Sequence, residues 1–132
     1  MNDIQNKVAV ITGASAGIGR AIAHALAREG CIVALVARGQ DELDKTAAEI
    51  TANGGKAFAF SADFRQTDAI RRTLTTIEEQ AGPIDILINN VGAGTFKPLH
   101  LTSNEECDIA IQLPYVAAMV ATHHVVRGMV AR

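Results

Sequence analysis

Short apolar runs rich in β-branched residues alternate four times with longer segments of helical spacing, and no other feature limits the possible folds so tightly. Lys7 to Thr12 is the first run. It ends in a glycine-rich turn, after which Gly17 to Glu29 carries Ile18, Ile22, Ala25 and Leu26 at helical spacing and Gly30 supplies a helix stop. Cys31 to Ala37 is a second, wholly apolar strand, and Asp41 to Ala52 follows as a helix with Leu43, Ala47 and Ile50 on one face. Gly54-Gly55 breaks the chain before a third strand at Lys56 to Ser61, and Thr67 to Gln80 repeats the helical pattern through Ile70, Leu74 and Ile77. After Gly82-Pro83 come a fourth strand at Ile84 to Ile88 and a loop through Gly92, Gly94 and Pro98. A last helix is capped by Ser103, with Glu106 three residues on in a capping-box pattern.

Strands that are apolar on both faces, with helices between them, imply a parallel sheet covered on both sides, because parallel neighbours need right-handed crossovers. The expected fold is therefore a doubly wound α/β sheet of strand order 3-2-1-4, with a crevice where the order reverses. The 132 residues contain no linker-like stretch, so 1–132 reads as a single domain.

Composition removes several partners. Twelve Lys and Arg against fourteen Asp and Glu give a net charge of −2 with no basic run, which excludes nucleic acid on electrostatic grounds. Cys31 and Cys107 are too far apart to form a metal knuckle or a redox pair, so no metal is expected and both read as reduced thiols of a cytoplasmic protein. Met1 to Lys7 is polar and gives no signal-peptide pattern. Ile109 to Val126 carries no formal charge, yet Gln112, Pro114, Thr122, His123 and His124 lie within it; a buried or subunit-contact helix is expected rather than a membrane span.

The turn after the first strand reads Thr12-Gly13-Ala14-Ser15-Ala16-Gly17-Ile18-Gly19. Glycines at a strand-to-helix junction let the backbone turn sharply and approach a pyrophosphate, while the free N–H groups and the positive end of the helix dipole favour the anion. About 20 residues further on, an acidic residue would bond the ribose hydroxyls of NAD and repel a 2′-phosphate. Arg38 stands there instead, and its guanidinium can fork onto a phosphate with Ser15 adding a hydroxyl, which points to NADP(H). The alternative is an ordinary solvated arginine at a strand end.

The Gly-x-x-x-Gly-x-Gly spacing of Gly13, Gly17 and Gly19, with Asp63 after the third strand and Asn89-Asn90-Val91-Gly92 after the fourth, resembles the short-chain dehydrogenase/reductase family. Thr12 to Gly19 matches that family's TGxxxGxG segment, and Asn89 to Gly92 resembles its NNAG segment with Val91 in place of alanine. The resemblance implies the N-terminal, dinucleotide-binding part of a Rossmann fold without its later strands. It also implies that Asp63 contacts the adenine, that Phe64 places a backbone group beside it, and that Asn89, Asn90 and Gly92 line the middle of the cofactor. A turn-forming role for Asp63 is the competing reading.

Hydride transfer to a carbonyl needs a positioned proton donor of lowered pKa. The family it resembles uses a Tyr-x-x-x-Lys pair with a preceding serine and an asparagine one helix earlier. Here the only tyrosine, Tyr115, is followed four residues on by Met119; no lysine follows Lys97 and no serine follows Ser103. Pro114 stands where the asparagine is expected, and a proline there predicts a bend. No catalytic residue is therefore assigned, and the expected activity is that of a truncated NADP(H)-dependent oxidoreductase acting on a carbonyl or alcohol, with a non-catalytic NADP(H)-binding module as the alternative. His24 and His100 have no partner at meaningful sequence spacing, and His123 and His124 read as packed or solvated. The Asn104–Arg132 helix is expected to mediate homo-oligomerisation.

Overall fold

A computed structural model of the chain describes residues 3–94 and 96–132, so the first two residues of the polar N-terminal stretch lie outside the described residues. Four parallel strands, β1 (Val8–Thr12), β2 (Ile32–Ala37), β3 (Lys56–Ser61) and β4 (Ile84–Ile88), form a sheet in the order β3-β2-β1-β4. The expected order is the observed one. β1 is central, with Val10 opposite Ala34 on one side and Leu87 on the other. The pairing of β1 with β4 slips by one residue at Asp85, whose carboxylate accepts the Val8 N–H at 3.0 Å.

Because successive side chains in a strand point to opposite faces, one buried sheet divides the apolar residues between two cores. Ala9, Ile11, Val33 and Leu35 pack under α1 (Gly17–Arg28) and α2 (Gln40–Ala52), against Ala23, Leu43 and Ile50. Val8, Val10, Ala34 and Val36 pack on the other face against Ile70, Leu74 and Ile77 of α3 (Thr67–Ala81) and Ala117, Ala121 and Val125 of α5 (Ala117–Ala131). The buried positions of α1 are Gly19, Ala23 and Ala27, a four-residue repeat of small side chains that lets the helix axis sit close to the sheet. Gly30 and Gly54 follow the ends of α1 and α2 at φ of +85° and +84°, where a Cβ would be strained.

One expectation about charge is corrected here. His24 does have a partner, Glu49 of α2 at 3.3 Å, and Arg20 forks onto the same carboxylate at 2.6 and 2.7 Å. The Arg20 hydrogen bonds hold the Glu49 carboxyl below its ordinary range. The partner is 25 residues away in sequence and is delivered by the packing of α1 on α2.

The last helical region begins as α4 (Asn104–Ile111), where Ser103 and Glu106 form the expected capping box. Pro114 does not end the helix. Its missing N–H falls within a π-helical turn, Gln112–Val116, in which the Ala117 N–H reaches back to the Gln112 carbonyl, before α5 continues. Among the described residues Asn104–Ala131 is also the one helix long and apolar enough to cross a membrane by length and composition. Here its Ala117, Ala121 and Val125 lie in the core, and His124 meets Glu78 of α3 at 3.2 Å.

Candidate functional site

The C-terminal ends of β1 and β4 are pinned by one buried hydroxyl. Thr12 Oγ1 donates to the Ile88 carbonyl at 3.2 Å and accepts the N–H groups of Asn90 and Val91 at 3.0 Å each. Asn90 completes the junction by donating from Nδ2 to the carbonyls of Thr12 and Gly13 at 3.1 and 3.2 Å. Its amide is therefore turned inward, onto the glycine turn.

That turn leaves no room for side chains at two places. A Cβ on Gly13, where φ is +67°, would lie 2.9 Å from Asn90 Nδ2, and one on Gly19 would lie 2.3 Å from the Gly13 carbonyl oxygen. Gly17 differs: its φ is +53° and a Cβ would point into open space, so the backbone itself is what this position presents. α1 starts here without a side-chain cap on Ala16 and without an acidic residue in its first turn. The first bond of the helix runs from the Arg20 N–H to the Ala16 carbonyl, so the N–H groups of Gly17, Ile18 and Gly19 have no acceptor within the helix. Three free donors at the positive end of a helix dipole form a seat for an anion.

Beside the turn opens a cleft of about 250 Å³, and Gly13, Ser15, Arg38, Asp63, Phe64 and Gly92 all line it. The sheet order places them there, since β1, β2, β3 and β4 all end on this side. Gly17, Ile18 and Gly19 stand next to the cleft at the start of α1 rather than in its wall, with Ile18 73% exposed. Phe64 is 3% exposed with its ring in the core, so the cleft meets mainly its backbone. Asn89 stands apart, donating from Nδ2 to Thr122 Oγ1 of α5 at 3.1 Å. Among the described residues no ion pair involves Arg38, whose carbonyl accepts the Ser61 hydroxyl at 2.8 Å. Asp63, in contrast, is engaged: Arg65 forks onto its carboxylate with Nη2 at 2.7 Å and holds its pKa below the ordinary range.

Seven residues of the cleft wall are not among the expected site residues. Thr12 and Val91 stand within the two motifs, Val36, Ala37, Ala62 and Leu113 look like any core side chain, and Gly39 looks like any turn glycine. Leu113 arrives from a region more than twenty residues past β4 because the π-turn aims it back over the cleft rim.

A parallel sheet of this order, with a glycine turn leading into an uncapped helix at the reversal of strand order, defines an α/β protein of the Rossmann type. A sequence model of the short chain dehydrogenase family matches residues 7–132, and the chain belongs to that family. It is 37% identical over 131 residues to 2,3-dihydro-2,3-dihydroxybenzoate dehydrogenase of Bacillus subtilis, covering 98% of this chain and 49% of the relative. Among solved structures it resembles a metagenomic short-chain oxidoreductase in complex with NADP, with a TM-score of 0.93 and 37% identity over 98% of this chain and 59% of the other. L-sorbose reductase from Gluconobacter frateurii, complexed with NADPH and L-sorbose, gives a TM-score of 0.92 and 34% identity, covering 100% of this chain and 51% of that one. The chain thus spans about half the length of the curated relatives it matches.

Proposed function

We propose that these residues are the NADP(H)-binding half of an oxidoreductase that moves hydride between a nicotinamide and a carbonyl or alcohol. One observation carries the reading: an uncapped helix N-terminus and an arginine without an ion-pair partner among the described residues flank a single cleft. The free N–H groups of Gly17 to Gly19 suit a diphosphate, and the open space over Gly17 lets it come close. Arg38, with Ser15 beside it, suits a 2′-phosphate. Asp63 and the Phe64 backbone would flank the adenine, with Gly92 along the middle of the cofactor. Asn89 and Asn90, which follow β4 outside the cleft wall, would border that portion through their backbone. The two neighbouring structures bound to NADP or NADPH support the same choice.

When bound, the nicotinamide supplies the hydride donor or acceptor. The chain's own residues supply binding and orientation, and no tyrosine and lysine stand four apart to move a proton. We therefore infer that the 132 residues bind NADP(H) without reducing a carbonyl. A second reading, a nucleotide-binding module with no catalysis at all, draws on Pro114, which cannot supply an amide from the π-turn. Exposed Tyr115 and Met119 on the same helix support self-association through Asn104–Arg132. The test is NADPH fluorescence on titration with the purified chain, followed by assay with carbonyl substrates. Saturable binding without turnover is expected; turnover would overturn the inference of inactivity, and an absence of binding would overturn the cofactor reading.

A further inference from the structure

Arg38 and Asp63 line the same cleft with opposite charges. A loose carboxylate at that place would work against a phosphate twice, by pairing with the Arg38 guanidinium and by repelling the incoming dianion. The third residue of the Asp63-Phe64-Arg65 segment removes the problem. Arg65 is outside the cleft lining and holds the carboxylate. Its backbone N–H meets Asp63 Oδ1 at 3.0 Å, its Nε meets both oxygens at 3.0 Å, and its Nη2 meets Oδ2 at 2.7 Å. Three N–H groups of one residue thus engage both carboxylate oxygens and leave part of their accepting capacity open.

The clamp is itself anchored. Gln112, at the start of the π-turn, donates from Nε2 to the Arg65 carbonyl at 3.2 Å, and the Gln66 N–H bonds to the Asp63 carbonyl at 3.0 Å. After Arg65, the other cation that acts on Asp63 is Arg38, which pulls on it more weakly. If Arg65 were lost, that is where the carboxylate would turn.

We propose that Arg65 is a positioning residue for cofactor choice: by holding the Asp63 carboxylate it leaves the Arg38 guanidinium open to a 2′-phosphate. The inference rests on the NADP(H) reading above. It concerns the ratio of affinities for NADPH and NADH, because only the former carries the phosphate.

The experiment measures dissociation constants for both nucleotides, at one ionic strength, on the chain and on Arg65→Ala, Asp63→Asn and the double variant. Asparagine keeps an oxygen for the Arg65 N–H, so the turn persists without the charge. Arg65→Ala is expected to lower the preference for NADPH over NADH about 3- to 10-fold. In the Asp63→Asn background the same replacement should change the preference by less than about twofold, because the charge to be restrained is gone. Arg65→Lys keeps the cation but not the fork, and should fall between the chain and Arg65→Ala. An unchanged ratio in Arg65→Ala, with both nucleotides bound, overturns the role of Arg65 alone. An equal shift in both backgrounds overturns it too, since Arg65 would then act directly on the phosphate. Failure of the unaltered chain to bind either nucleotide overturns the cofactor reading itself.

Discussion

Up to Asn90 the molecule buries what it has to bury, whereas beyond that point much of its apolar surface stays open. Apart from Ile18, every large apolar side chain exposed among the described residues lies at or beyond Phe96, including Leu99, Ile111, Tyr115, Met119 and Val130. In the first region β1 is buried at all five positions, and α1, α2 and α3 each set a stripe of small or aliphatic residues against the sheet. In the second, α4 has no buried residue, and α5 buries only Ala117, Ala121 and Val125. The cleft takes ten of its thirteen wall residues from the first region. Nucleotide binding should therefore be insensitive to what covers the open helix face, and stability should depend on the region that carries the site.

Substitutions can break this comparison. The largest effect is expected from Leu35→Ala, which empties a fully buried position in β2 and should cost about 2–5 kcal/mol in urea unfolding. A cost below that range would show that the first region is looser than its packing implies. Gly19→Ala comes next: the new methyl meets the Gly13 carbonyl oxygen, which must shift, at about 1–3 kcal/mol together with a loss of NADPH affinity. Retained affinity at unchanged stability would mean that the turn need not be tight.

A smaller, pH-dependent effect separates the start of α4 from the rest. Lys97 and the Ser103 N–H hold the Glu106 carboxyl down to about 2, from an ordinary value of 4.5. A depressed carboxyl stabilises the folded state fully above its unfolded value, and the contribution is lost as pH falls from about 4.5 toward 2. NMR titration should find Glu106 below the other glutamates, and Lys97→Met should raise it; a titration near 4.5 in the unaltered chain would contradict the assignment. The smallest effect belongs to Met119→Ser on the open face, which should change stability by no more than about 0.5 kcal/mol while reducing self-association by light scattering. A large loss of stability there would erase the distinction between the two regions.

Much of this was legible in the chain alone because it depends on local pattern. The change from strand to helical period marks all four β-α units, Gly30 and Gly54 mark helix ends, and Ser103 with Glu106 announces α4. Strand order followed from the handedness of parallel crossovers, which needs no side-chain detail. The inward amide of Asn90, the Glu49 partner of His24 and the arrival of Leu113 at the cleft were not legible, since each joins residues that only tertiary packing brings together. The clamp of Arg65 on Asp63 is local in sequence. The sequence does not mark it because an arginine two residues after an aspartate is commonplace, and only the geometry distinguishes a fork from two solvated charges.

The central claim is that backbone donors at the start of α1 and the guanidinium of Arg38 act on one ligand. Parallel calorimetric titrations with NADPH and NADH, on the chain and on Arg38→Ala, test it most directly. Tighter binding of NADPH to the chain, with a loss in Arg38→Ala that falls mainly on NADPH, is the predicted result; equal losses for both nucleotides, or tighter binding of NADH from the outset, would contradict it.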